Sequence, residues 1–206
     1  VTLKIATTFD GKMADDFGRS KWITDEASRE KVHDFRALAD AIAVGSKTID
    51  TDNPSLNLRR KNTHAQVKKV VIFGRPKTEL SKLKVTEANG IENILLIVSQ
   101  GHLRNALRAL YKDGIRHLFL EGGPRLASQF LKEGLVDQLL IFQGKGLLGG
   151  IGRHSIGQEW GLKTLEKSIK FEPEIVQKIG RDILIQGRLH VYGAHTKSRR
   201  NSKPHR

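Results

Sequence analysis

The chain has 206 residues, with 36 Lys and Arg against 22 Asp and Glu, a formal charge of +14 and no cysteine. That length buries one substantial core, so one domain is expected; the missing thiols exclude disulfides and thiolate metal sites, the eight histidines lack zinc-like pairing, and no metal is expected. No apolar run reaches roughly 18 residues, which argues against a membrane-spanning helix, and no charged-then-apolar leader precedes the first strand, so the cytoplasm is the expected location.

The first apolar run predicts a strand over Thr2 to Thr7, followed by an Asp10-Gly11 turn and the polar loop GRSKWIT. A helix follows with Thr24 as N-cap and Asp25 and Glu26 in its first turn, where carboxylates favour the positive end of the dipole. Val32, Phe35 and Leu38 repeat along it at helical spacing. Further strands are expected at Asp40 to Val44, Lys69 to Phe73, Asn93 to Val98, Arg116 to Leu120 and Gln138 to Phe142. Between the first two of these, VGSKTIDTDNPSLNLR closes as a loop carrying acid, proline and arginine, while Ser81 to Gly90 shows no clear pattern. Runs such as VVIF, ILLIV and LFL lack polar alternation, as strands covered on both faces by helices do. Leu103, Ala106, Leu107 and Leu110 form a second helical stripe, and Leu126, Phe130 and Leu131 a third that stops before Gly134. FEPEIVQKIGRDILIQGRLHVYG reads as two strands around Ile179 to Asp182, an antiparallel hairpin at the sheet's edge. The fold class is therefore α/β with a mostly parallel sheet. Residues 1–193 form the domain, and residues 194–206 a basic tail of disordered composition.

That tail supplies Lys197, Arg199, Arg200, Lys203 and Arg206 without an acid. It could touch nucleic acid through phosphates alone, or simply be a solvated end. In the body, bases alternate with acids and no aromatic RNA platform stands out, so a basic cleft for anionic small molecules explains the excess as well. Glu121-Gly122-Gly123-Pro124 sits where a buried strand gives way to a helix, with glycines that admit a close ligand and a proline that leaves neighbouring amides aimed at an anion. A plain turn is the alternative, and the six-residue Rossmann fingerprint is absent. Trp22, in a polar loop, has little reason to be buried, although a core aromatic is the alternative.

VTLKIATTFDGKMA, GRSKWIT, DEASREKVHDFRALADAI and VGSKTIDTDNPSLNLR occur in unbroken order over residues 1–59, and LEGGPRLASQFLKEGLVDQLLI with GLLGG follows over 120–150. In these blocks the chain resembles the reductase domain of the riboflavin-biosynthesis deaminase/reductase, a dihydrofolate-reductase-like fold. The resemblance implies an NADPH-dependent enzyme that reduces 5-amino-6-(5-phosphoribosylamino)uracil by hydride transfer to ribose C1. It places the cofactor on Gly122, Gly123, Pro124, Arg125, Leu126, Ala127, Ser128 and Gln129, with Ala6, Trp22, Thr24, Thr48, Asp52 and Gly74. It places the phosphoribosyl group on Ser20, Arg36, Leu56 and Arg59, and Glu121 beside the nicotinamide. Guanidinium forks suit a phosphate, although Arg36 could equally mark a solvated helix face and Glu121 a buried structural partner. Lys4, the charged residue of VTLKIA, is expected to supply positive charge or a proton and to hold Asp52; with Glu121 these are the expected catalytic residues. A strand-edge lysine is the alternative for Lys4. A homodimer is implied, as is an upstream deaminase domain, since the zinc site of that enzyme needs cysteines this chain lacks.

Three departures from the family pattern stand out. Phe73 precedes Gly74 where an acid near the adenosine is usual, Gly144-Lys145 replaces Ala-Pro, which suggests a looser loop, and Thr8-Phe9 replaces Ser-Leu before Asp10-Gly11. The rival readings are a reductase of the non-deaminated pyrimidinone, a pterin reductase of the same fold, and a basic RNA-binding module.

Overall fold

The short apolar runs assemble as parallel strands. β1 (Thr2–Thr7), β2 (Ala41–Gly45), β3 (Lys69–Phe73), β4 (Ile94–Ile97), β5 (Leu118–Leu120) and β6 (Gln138–Gln143) stand in the order β4-β3-β2-β5-β1-β6, each parallel to its neighbour. β7 (Lys170–Ile179) and β8 (Asp182–His190) form the expected hairpin, with β8 antiparallel to β6 and β7 on the sheet's edge. This is a computed structural model, and it describes residues 1–58, 69–98, 102–150, 155–156 and 164–190. The basic tail lies outside them.

Five helices are found among the described residues: α1 (Glu26–Ala37), α2 (Ser46–Asp52), α3 (Lys84–Asn89), α4 (Leu103–Lys112) and α5 (Pro124–Lys132). Alternation along the strands assigns each to a face. Leu3, Ile5, Ala41, Ala43, Val71 and Leu120 point to one side, where Leu103, Ala106 and Leu110 of α4 and Ala127, Phe130 and Leu131 of α5 cover them. Ile42, Val44, Val70 and Ile72 point to the other, against Ile49 of α2 and Val85 of α3. Further along that second face Val32 and Phe35 of α1 close over Phe119, Leu140 and Phe142. Each fully covered Val, Leu, Ile or Phe side chain among them contributes about 1.5–3 kcal/mol. No helix among the described residues is long and apolar enough to cross a membrane.

Several expectations are corrected. The N-cap of α1 is Asp25, whose carboxylate accepts from the Ser28 amide, whereas the Thr24 carbonyl accepts from Arg29 at 2.8 Å. Leu38, just past α1, is exposed, because the chain turns there toward β2. The segment read as a loop after β2 opens as α2. It buries only Ile49, so its sequence carries no apolar stripe. The unassigned stretch 81–90 contains α3, docked through Val85.

Candidate active site

β1 carries Lys4 toward the α1 face, level with Leu140 of β6 and 5.9 Å from the Phe142 ring centroid. β5 ends at Leu120, so Glu121 emerges next to β1 at the C-terminal edge of the parallel strands. Arg36, in the last turn of α1, reaches across to it. Its Nε donates to Oε1 at 2.5 Å and its Nη2 to Oε2 at 3.0 Å, while Nη1 donates to the Asn57 carbonyl at 3.1 Å. Lys4 Nζ stands 4.0 Å from Glu121 Oε2. The three side chains are only 11 to 20 % exposed, so their charges act on one another with little screening.

Burial alone would raise the Glu121 carboxyl. The charge and hydrogen bonds of Arg36, with smaller help from Lys4 and His33, outweigh it and hold the group below the usual carboxylate range. Lys4 moves the other way from an ordinary surface lysine: burial lowers it, Glu121 pulls it up, and Arg36 pushes it down again, leaving it below its usual value. Lys4 is therefore paired with Glu121. Asp52, which it was expected to hold, ends α2 as an exposed residue, and the ion pair found for Lys4 goes elsewhere.

Beside this cluster two helices begin together. β2 runs straight into α2, its neighbour β5 reaches α5 through Glu121, Gly122 and Gly123, and neither N-terminus is capped by a side chain. Gly45 and Gly123 hold the cap positions, and Pro124 opens α5. The starts nearly touch: a Cβ built on Gly123 would lie 3.9 Å from Thr48 Oγ1, and one on Gly45 3.7 Å from the Leu126 side chain. Uncapped amides converging at the C-terminal edge of a parallel sheet suit a phosphate-bearing ligand. Gly74 closes the group with φ +97°, and a Cβ there would sit 2.6 Å from Ser46 Oγ.

Comparisons with known proteins identify the family. The model of the RibD C-terminal domain matches residues 1–185. The chain belongs to the RibD C-terminal domain family. It is 33% identical over 206 residues to the riboflavin biosynthesis protein RibD of Aquifex aeolicus, covering 90% of this chain and 56% of that protein. The RibD of Mycobacterium tuberculosis is 32% identical over 188 residues, with 90% and 53% covered. Among solved structures, Acinetobacter baumannii RibD matches with a TM-score of 0.82 at 27% identity, covering 92% of this chain and 57% of that one. A Thermotoga maritima diaminohydroxyphosphoribosylaminopyrimidine deaminase/5-amino-6-(5-phosphoribosylamino)uracil reductase matches at 0.76 and 30%, with 92% and 56% covered. The chain thus spans a little over half the length of these relatives, and its fold is the dihydrofolate-reductase-like α/β arrangement of RibD reductase domains.

Within this RibD domain the remaining expected residues fall into three groups. Ala6, on the Lys4 face of β1, Thr48 and Gly122 are half-buried around the cluster and the two helix starts, with Leu126 packed under Gly122. Trp22 is 71% exposed, its ring covered by the Arg29 guanidinium at 4.3 Å, and Ser20 and Thr24 flank it in the loop before α1. Arg125 and Gln129 are exposed on α5 and Ser128 is half-buried, whereas Ala127 is fully buried beneath the helix and can offer a ligand only its backbone. Leu56 likewise turns its side chain into the core beside Ile49, with φ +50°. Arg59 lies outside the described residues.

Two features escaped sequence reasoning. Asn57 supports Arg36 through its carbonyl, which no side-chain pattern announces. The Asp10-Gly11 turn does more than reverse the chain: Asp10 accepts from Thr8 Oγ1 at 2.6 Å and from the amides of Leu148 and Gly149 at 3.2 and 2.7 Å. The loop after β6 is accordingly not loosened by Gly144-Lys145. Gly144 N donates to Thr7 O and Phe9 N to Gly146 O, both at 2.7 Å. A Cβ at Gly144 would sit 2.0 Å from the Ile23 carbonyl oxygen, so the alanine of the family pattern does not fit this backbone.

Proposed function

We propose that the chain performs the NADPH-dependent reductase step of riboflavin biosynthesis, converting 5-amino-6-(5-phosphoribosylamino)uracil to its ribitylamino phosphate. The observation that carries this reading is the adjacency of two uncapped helix N-termini and a partly buried Lys4, Glu121, Arg36 cluster at one edge of the sheet. The names of the relatives, and the reductase activity in the name of the Thermotoga protein, support the substrate class.

The starts of α2 and α5 receive the cofactor's phosphates, with Thr48, Gly74 and Gly122 to Gln129 around them and Trp22 and Thr24 along its length. The residues present fit such a group, since the amides are uncapped and glycine occupies the positions nearest it. Bound NADPH supplies a hydride. The substrate's ribose C1 lies over Ala6 and Lys4, and Ser20, the Leu56 backbone and Arg59 hold the sugar ester. Lys4 Nζ gives a proton to the oxygen or nitrogen that gains the electron pair at C1 and is reprotonated from solvent. Alignment of this kind is worth about 7–11 kcal/mol. We place the protein in the cytoplasm as a homodimer, using NADPH in preference to NADH and working beside a deaminase domain like that of the relatives.

The test follows nicotinamide absorbance with the deaminated pyrimidine, the non-deaminated pyrimidinone and a pterin, using NADPH and NADH. Oxidation of NADPH with the deaminated substrate alone is expected, and Arg59→Ala should raise KM chiefly for its phosphorylated form. Turnover confined to the non-deaminated compound or the pterin moves the chain to another substrate, and none with any of the three removes the reading.

A further inference from the structure

The order of the strands sets the direction in which a dinucleotide lies. Its reacting end belongs over Ala6 and Lys4 on β1, and its phosphates at the start of α5, beside α2, which follow β5 and β2. The next strand along the same edge is β3, three places from β1 and about 14 Å away, so the adenosine end reaches the turn that follows β3. That turn begins FGRPKT, and its Gly74 comes against Ser46 of α2.

We propose that Arg75 and Lys77, with Lys47 of α2, select a cofactor that carries a phosphate on its adenosine ribose. The inference rests on the NADPH reading of the site and names the side chains behind it. In parallel-sheet dinucleotide folds a carboxylate accepts from a free ribose 2′-hydroxyl, whereas an arginine accommodates a 2′-phosphate. β3 ends without a carboxylate. Phe73 is only 7% exposed, and its ring meets Phe130 edge-on at 5.3 Å, so it faces the core and offers the ribose nothing. The acid nearest the turn, Asp50 of α2, is committed to backbone. Its carboxylate oxygens accept from the Lys77 amide at 2.9 and 3.2 Å, and one of them from the Thr78 amide at 3.2 Å. Those bonds fasten the turn that carries Arg75 and Lys77 to the helix that carries Lys47. Glu79, further along, is taken by Lys82 at 3.0 Å. Lys47, Arg75 and Lys77 are exposed, and no ion pair among the described residues engages them. A phosphate monoester brings close to two negative charges, which a guanidinium fork and two ammonium groups match.

Fluorescence titration of the full chain with NADPH and with NADH tests the proposal without any pyrimidine. The wild type should bind NADPH about a hundredfold more tightly. Arg75→Ala should weaken NADPH by about tenfold and Lys77→Ala by about threefold, while NADH stays within about twofold for both. Arg75→Glu, which sets a carboxylate where the phosphate lies, should erase the preference. These variants keep the amide bonds to Asp50, so the turn stays in place. Lys82→Ala removes a neighbouring exposed cation and should alter neither affinity. The gap between the two cofactors should also narrow with added salt, since exposed charges supply it. Equal affinity of the wild type for both cofactors, or equal losses for both in Arg75→Ala and Lys77→Ala, would overturn the proposal. Turnover of the deaminated pyrimidine with the same kcat/KM for NADH and NADPH would keep the reductase and remove the selection. A phosphate-dependent affinity that falls in Arg75→Ala, with no turnover of any of the three candidate substrates, would keep the selection and remove the reductase.

Discussion

Asp182, the first residue of β8, is joined to Ser28 of α1 across 154 residues by a buried hydrogen bond of 2.6 Å from the hydroxyl to its carboxylate. The same carboxylate accepts from the Asp25 amide at 2.7 Å, and Asp25 in turn accepts from the amides of Ser28 and Arg181. These donors hold the Asp25 carboxyl below the usual range, Arg181 foremost and then Ser28. The head of the helix that presents Arg36 is thereby fastened to the sheet's edge. Asp182→Ala leaves a buried hydroxyl and an amide without an acceptor, and should lower the unfolding free energy by about 3 kcal/mol. Ser28→Ala removes one donor and should cost about 1 kcal/mol. Urea unfolding measures both, and a loss under about 0.5 kcal/mol for Asp182→Ala would show the fastening to be idle.

The cofactor cradle depends on a close approach between Gly74 and Ser46. Gly74→Ala forces an L residue to φ +97° and drives its Cβ to 2.6 Å from Ser46 Oγ at the start of α2. Gly18 provides the control, because it too has a positive φ of +79° but nothing within 4 Å of a built Cβ. Both alanine variants should lose about 1–2 kcal/mol of stability from backbone strain. Only Gly74→Ala should weaken NADPH, by about tenfold, and Ser46→Ala in the same chain should recover part of that loss. Fluorescence titration of the cofactor decides, and equal weakening by Gly18→Ala would remove the cradle from the explanation.

The parallel strands were legible in the sequence because each is a short apolar run, and the central ones are covered on both faces. β1 and β3 fall at the expected residues, and the other parallel strands begin or end within a residue or two. Helix α2 was not legible. SKTIDTD buries one side chain, and its acids and threonines, with the proline that follows, read as a loop. The site shows the same division. Glu121 could be suspected from its own position, a carboxylate ending an apolar strand next to a Gly-Gly-Pro turn. Its partner could not, since Arg36 lies 85 residues away and only the placement of α1 over β5 and β1 joins them. Asp10 was read correctly as a turn residue, but its bond to the Gly149 amide spans 139 residues and depends on β1 and β6 being neighbours. Family resemblance supplied the candidate residues, and the geometry added the Arg36–Glu121 ion pair and the burial of the Leu56 side chain.

Asp10 also gives the site a pH-dependent boundary. The hydroxyl of Thr8 is the largest influence on its carboxyl; desolvation opposes it, and the amides of Gly149 and Leu148 add to it, so that the carboxyl falls from 3.8 to about 2. A carboxyl lowered by folding contributes stability that is complete above its unfolded value of 3.8 and is lost as the pH falls through about 2. The clasp between the loops after β1 and β6 should therefore hold through mild acid and open only near the lower value. Asp10→Asn presents a single acceptor, and its amide group confronts the backbone donors. Hydrogen exchange at Leu148 and Gly149 should then rise by about tenfold near neutral pH, while the amides of β6 keep their protection. In the wild type the carbon resonance of the Asp10 carboxyl should titrate at about 2, together with loss of protection at those two amides. A midpoint near 3.8, or exchange unchanged by Asp10→Asn, would mean that the loop after β6 is held in place by the Gly144 and Gly146 backbone bonds alone.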